Sequence, residues 1–260
     1  MCYDIKYLTR KKLEYARRRG SSPEEISSLE EQLKRLDRKA VYHASGFSHP
    51  ELPVFTADDP HLMQFFEWGL IPFWVKEFKL AFSIREKTLN ARGETIFEKN
   101  AFKAAAKYRR CLVMVDGFYE HHHFNGKTYP YHIKLKNEEP MILAGLWETW
   151  ESEQTGEVKQ TVSIVTTKGN DLLKDIHNNP KLAEPRMPLI LTKENETDWL
   201  KPIESKFDME EVKKVIKPFS GELEAYTVPR IRGKFASGNE PKTAQYKAYP
   251  DLEVKQNKLF

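Results

Sequence analysis

From residue 41 onward the apolar residues of this chain come in short runs separated by turn residues, and strand-like runs do not alternate regularly with helical ones. Candidate strands fall at 41–45, 64–70, 111–119, 129–135, 140–148, 159–167, 187–191 and 223–228. Helical spacing recurs at 94–108, 169–176, 194–200 and 208–217. Parallel strands need a crossover, usually a helix, at each step, and this order does not supply one. The sequence contains neither a G-x-G-x-x-G nor a P-loop. The expected class is therefore α+β: a single domain with a central antiparallel, barrel-like β-sheet flanked by short helices. With 260 residues, 40% of them hydrophobic, the chain can bury a sizeable core.

Residues 9–39 read differently. Ser22-Pro23-Glu24-Glu25 is an N-terminal helix signature, with Ser22 as N-cap and Glu25 closing a capping box. Ile26, Leu29, Leu33 and Leu36 follow at helical spacing, and Arg17-Arg18-Arg19-Gly20 reads as a basic helix end with a glycine stop. The expectation is a helical hairpin inserted at about 9–39 within a domain spanning 1–233, followed by an extended, partly disordered C-terminal segment at 234–260.

The formal charge of +4 is unevenly spread. Residues 1–40 carry a net +4, residues 85–110 a net +5 and residues 194–224 a net −4. Such a distribution suits a polyanionic partner but also an ordinary mixed surface. No apolar run approaches the roughly 18 residues that span a bilayer, so no membrane partner is expected. The N-terminus lacks an apolar signal region, and Cys2 and Cys111 are too few for a disulfide framework. These features point to a reducing cytoplasm.

Cys2 is the most telling residue. Removal of Met1 would leave a cysteine with a free α-amine, whose reference pKa is about 7.7–8.0, beside a thiol of about 8.5. This 1,2-aminothiol can condense with an aldehyde to a Schiff base and then close to a five-membered thiazolidine, which an internal cysteine cannot do. A cysteine at position two is also often incidental. Cys111, opening the run Cys111-Leu112-Val113-Met114-Val115, reads as a buried small hydrophobe. Glu120 ends the segment Asp116-Gly117-Phe118-Tyr119-Glu120, as a general acid/base or as an exposed glutamate. His121, His122 and His123 follow, but consecutive strand residues point to opposite faces and do not converge on one metal ion. His177 ends a short helix, where it could be a cap or a proton-transfer group. Asn90 and Arg92 alternate in an extended segment, as an oxyanion or phosphate clamp or as a local turn. Lys99, Lys103 and Lys107 make an i, i+4, i+8 stripe, either a solvated face or a phosphate-attracting one. Trp68-Gly69-Leu70-Ile71-Pro72-Phe73-Trp74 suits core packing, or a platform for unpaired bases.

Taken in order, Met1-Cys2, Glu67 to Trp74, Leu89-Asn90-Ala91-Arg92-Gly93-Glu94-Thr95, Arg109 to Glu120, and His177 with Arg186-Met187-Pro188 resemble the SOS response-associated peptidase (SRAP) family. The resemblance covers most of residues 1–4 and 41–233. It implies recognition of abasic sites in single-stranded DNA and a covalent DNA–protein crosslink through the N-terminal cysteine. It further implies that Cys2 is the nucleophile, with Asn90, Glu120 and His177 as the other catalytic residues. Arg92, Trp68 and Arg186 would lie along DNA with the basic residues Lys99, Lys103, Lys107, Arg109 and Arg110. No cofactor and no metal is implied. The expected state is a monomer, cytoplasmic and nucleoid-associated when bound to DNA. Where family members commonly read Met-Cys-Gly-Arg, this chain reads Met1-Cys2-Tyr3-Asp4, and eight residues separate His177 from Arg186.

Two other readings stand beside crosslinking. One is a binding module for single-stranded nucleic acid that leaves no covalent product. The other is a thiol peptidase using Cys2, His177 and Glu120, which would keep its activity with Met1 attached.

Overall fold

A computed structural model describes residues 2–7, 20, 22–24, 26–27, 30–31, 40–60 and 62–252. Most of the expected hairpin at 9–39 lies outside these residues. At the start of its second arm Pro23, Glu24, Ile26 and Ser27 are helical, and the Ile26 N–H donates to Ser22 O.

The described residues form an α+β fold built on a closed five-stranded barrel. Its strands are β3 (Glu51–Thr56), β4 (Gln64–Trp68), β6 (Arg110–Val115), β9 (Met141–Glu151) and β10 (Val158–Lys168). Around the barrel β4 pairs with β3, β3 with β6, β6 with β9 and β9 with β10, all antiparallel. The ring closes through a short parallel pairing of β10 with β4, Thr161 opposite Glu67 and Val162 opposite Trp68. β5 (Asn90–Arg92) then continues along β10, also in parallel, with Asn90 opposite Ile164. Two short strands extend the same sheet: β11 (Arg186–Pro188) on β10 and β12 (Ile190–Leu191) on β9.

Strand alternation divides the core in two. Leu52, Val54, Phe66, Trp68, Cys111, Val113, Leu143, Val162 and Ile164 fill the interior. Their neighbours Phe55, Leu112, Met114, Ala144 and Val165 face an outer layer, which Ala105, Trp199 and Val212 cover. Those three come from α2 (Lys103–Tyr108), α4 (Lys193–Leu200) and α5 (Lys206–Lys214). A smaller cluster seats Ala81 of α1 (Phe78–Arg85) against Trp150. Cys111 is indeed a buried small hydrophobe: its sulfur lies where a Cβ on Gly145 would come within 2.7 Å, so cysteine and glycine fill one narrow place in the barrel.

A second, antiparallel sheet runs β13 (Leu223–Thr227), β8 (Lys127–Leu135), β7 (Gly117–Phe124), β1 (Asp4–Tyr7) and β2 (Val41–Ser45). The run expected as one strand at 111–119 is therefore two. The chain leaves the barrel at Asp116, whose N–H donates to Lys6 O, and enters the second sheet as β7. The helix expected at 94–108 is also shorter. A 3-10 turn at Gly93–Thr95 and further turns precede α2, so Lys99 stands ahead of the helix that carries Lys103 and Lys107.

Beyond residue 234 the chain is tied to the second sheet. Asn239 Oδ1 accepts the N–H groups of Tyr42 and His43, the Lys247 N–H donates to Thr227 O, and the Tyr249 hydroxyl donates to Val228 O. No helix among the described residues is long and apolar enough to cross a membrane.

Candidate active site

The two sheets bring the N-terminal cysteine to the barrel mouth. β1 lies between β2 and β7, with Asp4 opposite Ser45 on one side and Tyr119 on the other. Cys2, two residues before Asp4, lies close enough to Glu120 for the carboxylate charge to act on its thiol. Cys2 packs into the interior cluster and its Sγ–H points to Asp4 O at 3.9 Å. On the barrel side, β5 turns Ala91 into the outer core, which leaves Asn90 and Arg92 on the other side. Asn90 Nδ2 donates to Cys2 O at 2.8 Å. The Asn90 carbonyl oxygen Oδ1 is buried with no hydrogen-bond partner.

His177 reaches the same place from α3 (Asp171–Ile176), which Asn170 caps by accepting the Leu173 N–H. The histidine is the C-cap, with its own N–H on Leu173 O. Its Nδ1 lies 3.5 Å from Glu120 Oε2. Nδ1 also lies 2.9 Å from Arg186 O, a contact that suits a protonated Nδ1, and the Arg186 N–H approaches it at 3.2 Å, which suits the other tautomer. The eight-residue loop between His177 and Arg186 therefore folds back so that its two ends meet.

The histidine triplet helps to hold this arrangement. His122 Nδ1 contacts Asp175 O at 2.9 Å. The His123 N–H donates to Asn178 Oδ1, and Asn178 Nδ2 donates back to His123 O. β7 thus clasps both α3 and the start of the loop, which fixes His177 against Glu120.

Burial dominates the electrostatics. It raises the Glu120 carboxyl from 4.5 to about 7. It lowers His177 from 6.5 to about 4 and His121 to about 4. The Cys2 thiol is pushed far above its ordinary value, by burial first and then by the Glu120 charge. Near neutrality the site thus holds a neutral thiol, a neutral imidazole and a carboxyl that is partly protonated.

Cys2, Asn90, Glu120 and His177 are brought together, and Arg92 extends exposed from the strand that carries Asn90. Three residues expected on a DNA surface are instead internal. Trp68 is fully buried and its Nε1–H donates to Leu89 O, so it is part of the core rather than a stacking platform. Arg110 is buried with its guanidinium on the carbonyls of Trp199, Ala106, Lys107 and Lys201, where it ties α2 to the chain after α4, and desolvation lowers it to about 10. Arg186 is buried in a bidentate pair with Glu94, at 2.8 and 2.7 Å, with further bonds to Glu184 Oε1 and Thr166 O. These guanidiniums satisfy internal acceptors and are closed to phosphate. Arg109 is half-buried and paired with Glu148 at 2.6 Å. Lys99, Lys103 and Lys107 are exposed, the last two on α2 in the outer layer, away from the interior cluster that holds Cys2.

Sequence reasoning did not single out His43 and Arg232. Buried Asp4 pairs with His43 Nε2 at 2.8 Å and with the Arg232 guanidinium. The signal was Asp4 itself: an acid in a buried strand requires a cation nearby.

This chain matches the family described as SOS response associated peptidase (SRAP) over residues 16–234. It is 39% identical over 166 residues to the abasic site processing protein YoqW of Bacillus subtilis (strain 168), spanning 63% of this chain and 68% of that protein. It is 34% identical over 164 residues to the abasic site processing protein HMCES of Pongo abelii, spanning 51% of this chain and 43% of that protein. Among solved structures, a protein from Bacteroides thetaiotaomicron superposes with a TM-score of 0.79 at 34% identity, covering 95% of this chain and all of that one. With a buried cysteine at position two, a partly protonated glutamate and a clasped histidine in that shared fold, the chain belongs to the SRAP family.

Proposed function

We propose that this protein processes abasic sites in single-stranded DNA by forming a covalent thiazolidine crosslink through Cys2 after removal of Met1. The observation that carries this reading is the convergence of Asn90 and Glu120 on Cys2, with His177 Nδ1 3.5 Å from the Glu120 carboxyl. The names of the relatives, abasic site processing proteins, support the substrate class.

The chemistry follows from the groups present. An opened abasic sugar exposes an aldehyde at C1′. The mature α-amine adds to that carbon, and loss of water gives an imine. Sγ then adds to the imine carbon while the thiol proton passes to nitrogen, which closes the ring; one water leaves overall. A carboxyl near pKa 7 can give and recover a proton at neutral pH, so Glu120 serves the dehydration step and its reversal. His177 serves proton transfer at the sugar ring oxygen, and the short separation lets the pair exchange a proton. Asn90 fixes the Cys2 backbone and aims an unpartnered acceptor at the site, suited to an incoming N–H or O–H.

A burial-raised thiol is poorly suited to the thiolate attack that a peptidase requires. Amine attack comes first in the proposed order, and the thiol follows. The test compares the mature protein with a form carrying one extra residue ahead of Cys2, each mixed with a single-stranded oligonucleotide bearing one abasic site. Crosslinking by the mature form alone supports the proposal. Equal crosslinking by both overturns it, because an amide nitrogen cannot form the imine.

A further inference from the structure

Beside Cys2 lies a surface that the proton chemistry does not use. The 3-10 turn Gly46–Ser48 is held to the N-terminal strand by the Gly46 N–H, which donates to Tyr3 O at 2.7 Å. This brings the Phe47 ring against Tyr3, with centroids 5.0 Å apart. The Arg232 guanidinium lies over the same ring, 5.5 Å from its centroid, while it also pairs with Asp4. Phe47 is 57% exposed.

The support beneath this turn is specific. A Cβ on Gly46 would lie 3.2–3.3 Å from Leu89 Cδ1 and the Trp68 ring. The turn therefore rests directly on the buried indole, and a glycine allows that approach. Trp68 acts as the foundation, and Phe47 presents the aromatic face.

We propose that Phe47, flanked by Tyr3 and Arg232, is the stacking platform for the unpaired nucleobase next to the abasic position. The inference rests on the proposed function and deepens it. Tyr3 directly follows Cys2, so a strand whose sugar reacts at Cys2 lays a neighbouring nucleotide within reach of this patch. Aromatic and guanidinium planes accept any base, as a lesion that occurs in every sequence context requires. Asp4 cancels the Arg232 charge. The platform therefore holds the base rather than a phosphate, and its contribution is nearly independent of salt.

The test uses Cys2→Ala protein and a single-stranded oligonucleotide with a tetrahydrofuran abasic analogue, which has no aldehyde, flanked by 2-aminopurine. Binding by the Cys2→Ala parent should quench the probe. Adding Phe47→Leu should abolish most of the quench and weaken affinity at least roughly five-fold, the low end expected for one stacked base, with an unchanged salt slope. Phe47→Trp should restore both. Moving the probe several nucleotides away should remove the difference. If Phe47→Leu quenches and binds like its parent while wild-type protein still crosslinks abasic DNA, the platform is overturned and the proposed function stands. If wild-type protein neither binds nor crosslinks, both fall.

Discussion

Glu120 Oε2 and His177 Nδ1 lie 3.5 Å apart, and burial moves the two groups in opposite directions. The carboxyl titrates at about 7 and the imidazole at about 4, so the pair passes from neutral to a single negative charge as pH rises through about 7. Crosslinking rate measured against pH should inflect near 7. Glu120→Gln should slow crosslinking or its reversal by roughly a hundred-fold or more and remove that inflection, as expected for loss of a positioned acid/base. Unchanged rates in both directions would remove Glu120 from the mechanism.

The same shift has a stability consequence of defined sign. The folded-state value of Glu120 lies above its ordinary 4.5, so its contribution is complete below about 4.5 and is lost as pH rises through about 7. Glu120→Gln lacks that loss. Relative to wild type it should gain stability between pH 5 and 8, up to about 3 kcal/mol, with little difference at pH 4. Urea denaturation across this pH range checks it.

Asn90→Ala removes the hydrogen bond to Cys2 O at the cost of about 1 kcal/mol in stability. The larger effect should fall on crosslinking, slowed roughly ten-fold or more by a misplaced nucleophile. Single-turnover rates at saturating DNA separate this from weakened binding.

Arg186 and Trp68 should behave as core residues. Arg186→Ala removes a buried guanidinium with its bonds to Glu94, Glu184 and Thr166 O, while Glu94 stays open to water, and should cost about 1–3 kcal/mol. Trp68→Ala empties a fully buried site under Gly46 and should cost about 3–5 kcal/mol. Guanidinium unfolding measures both, and a loss of DNA affinity with unchanged stability would contradict this assignment.

The outcome for these residues marks how far the chain could be read in advance. That Cys2, Asn90, Glu120 and His177 come together was legible from the order of their motifs, and the strands β8 to β10 were legible because each is long. The strands β1 and β5 were not, since each is short and takes its hydrogen bonds from distant partners such as Tyr119 and Ile164, and β3 was not, because Pro53 interrupts its run. The parallel contact that closes the barrel joins residues more than 90 positions apart. Charge misled at Arg110 and Arg186, because sequence does not reveal which way a guanidinium points. Both sit on strands whose alternation turns them toward internal carbonyls and carboxylates. Phe47, exposed against Tyr3, lies in a turn without a periodic pattern.

The most direct test of the account is the intact mass of the product formed by mature protein and a single-stranded oligonucleotide carrying one abasic site. The account predicts a heat-stable adduct equal to protein plus oligonucleotide minus one water, absent with an intact strand and absent with Cys2→Ala. A protein with Met1 shown to be removed that yields no adduct, or an adduct that persists with Cys2→Ala, would contradict it.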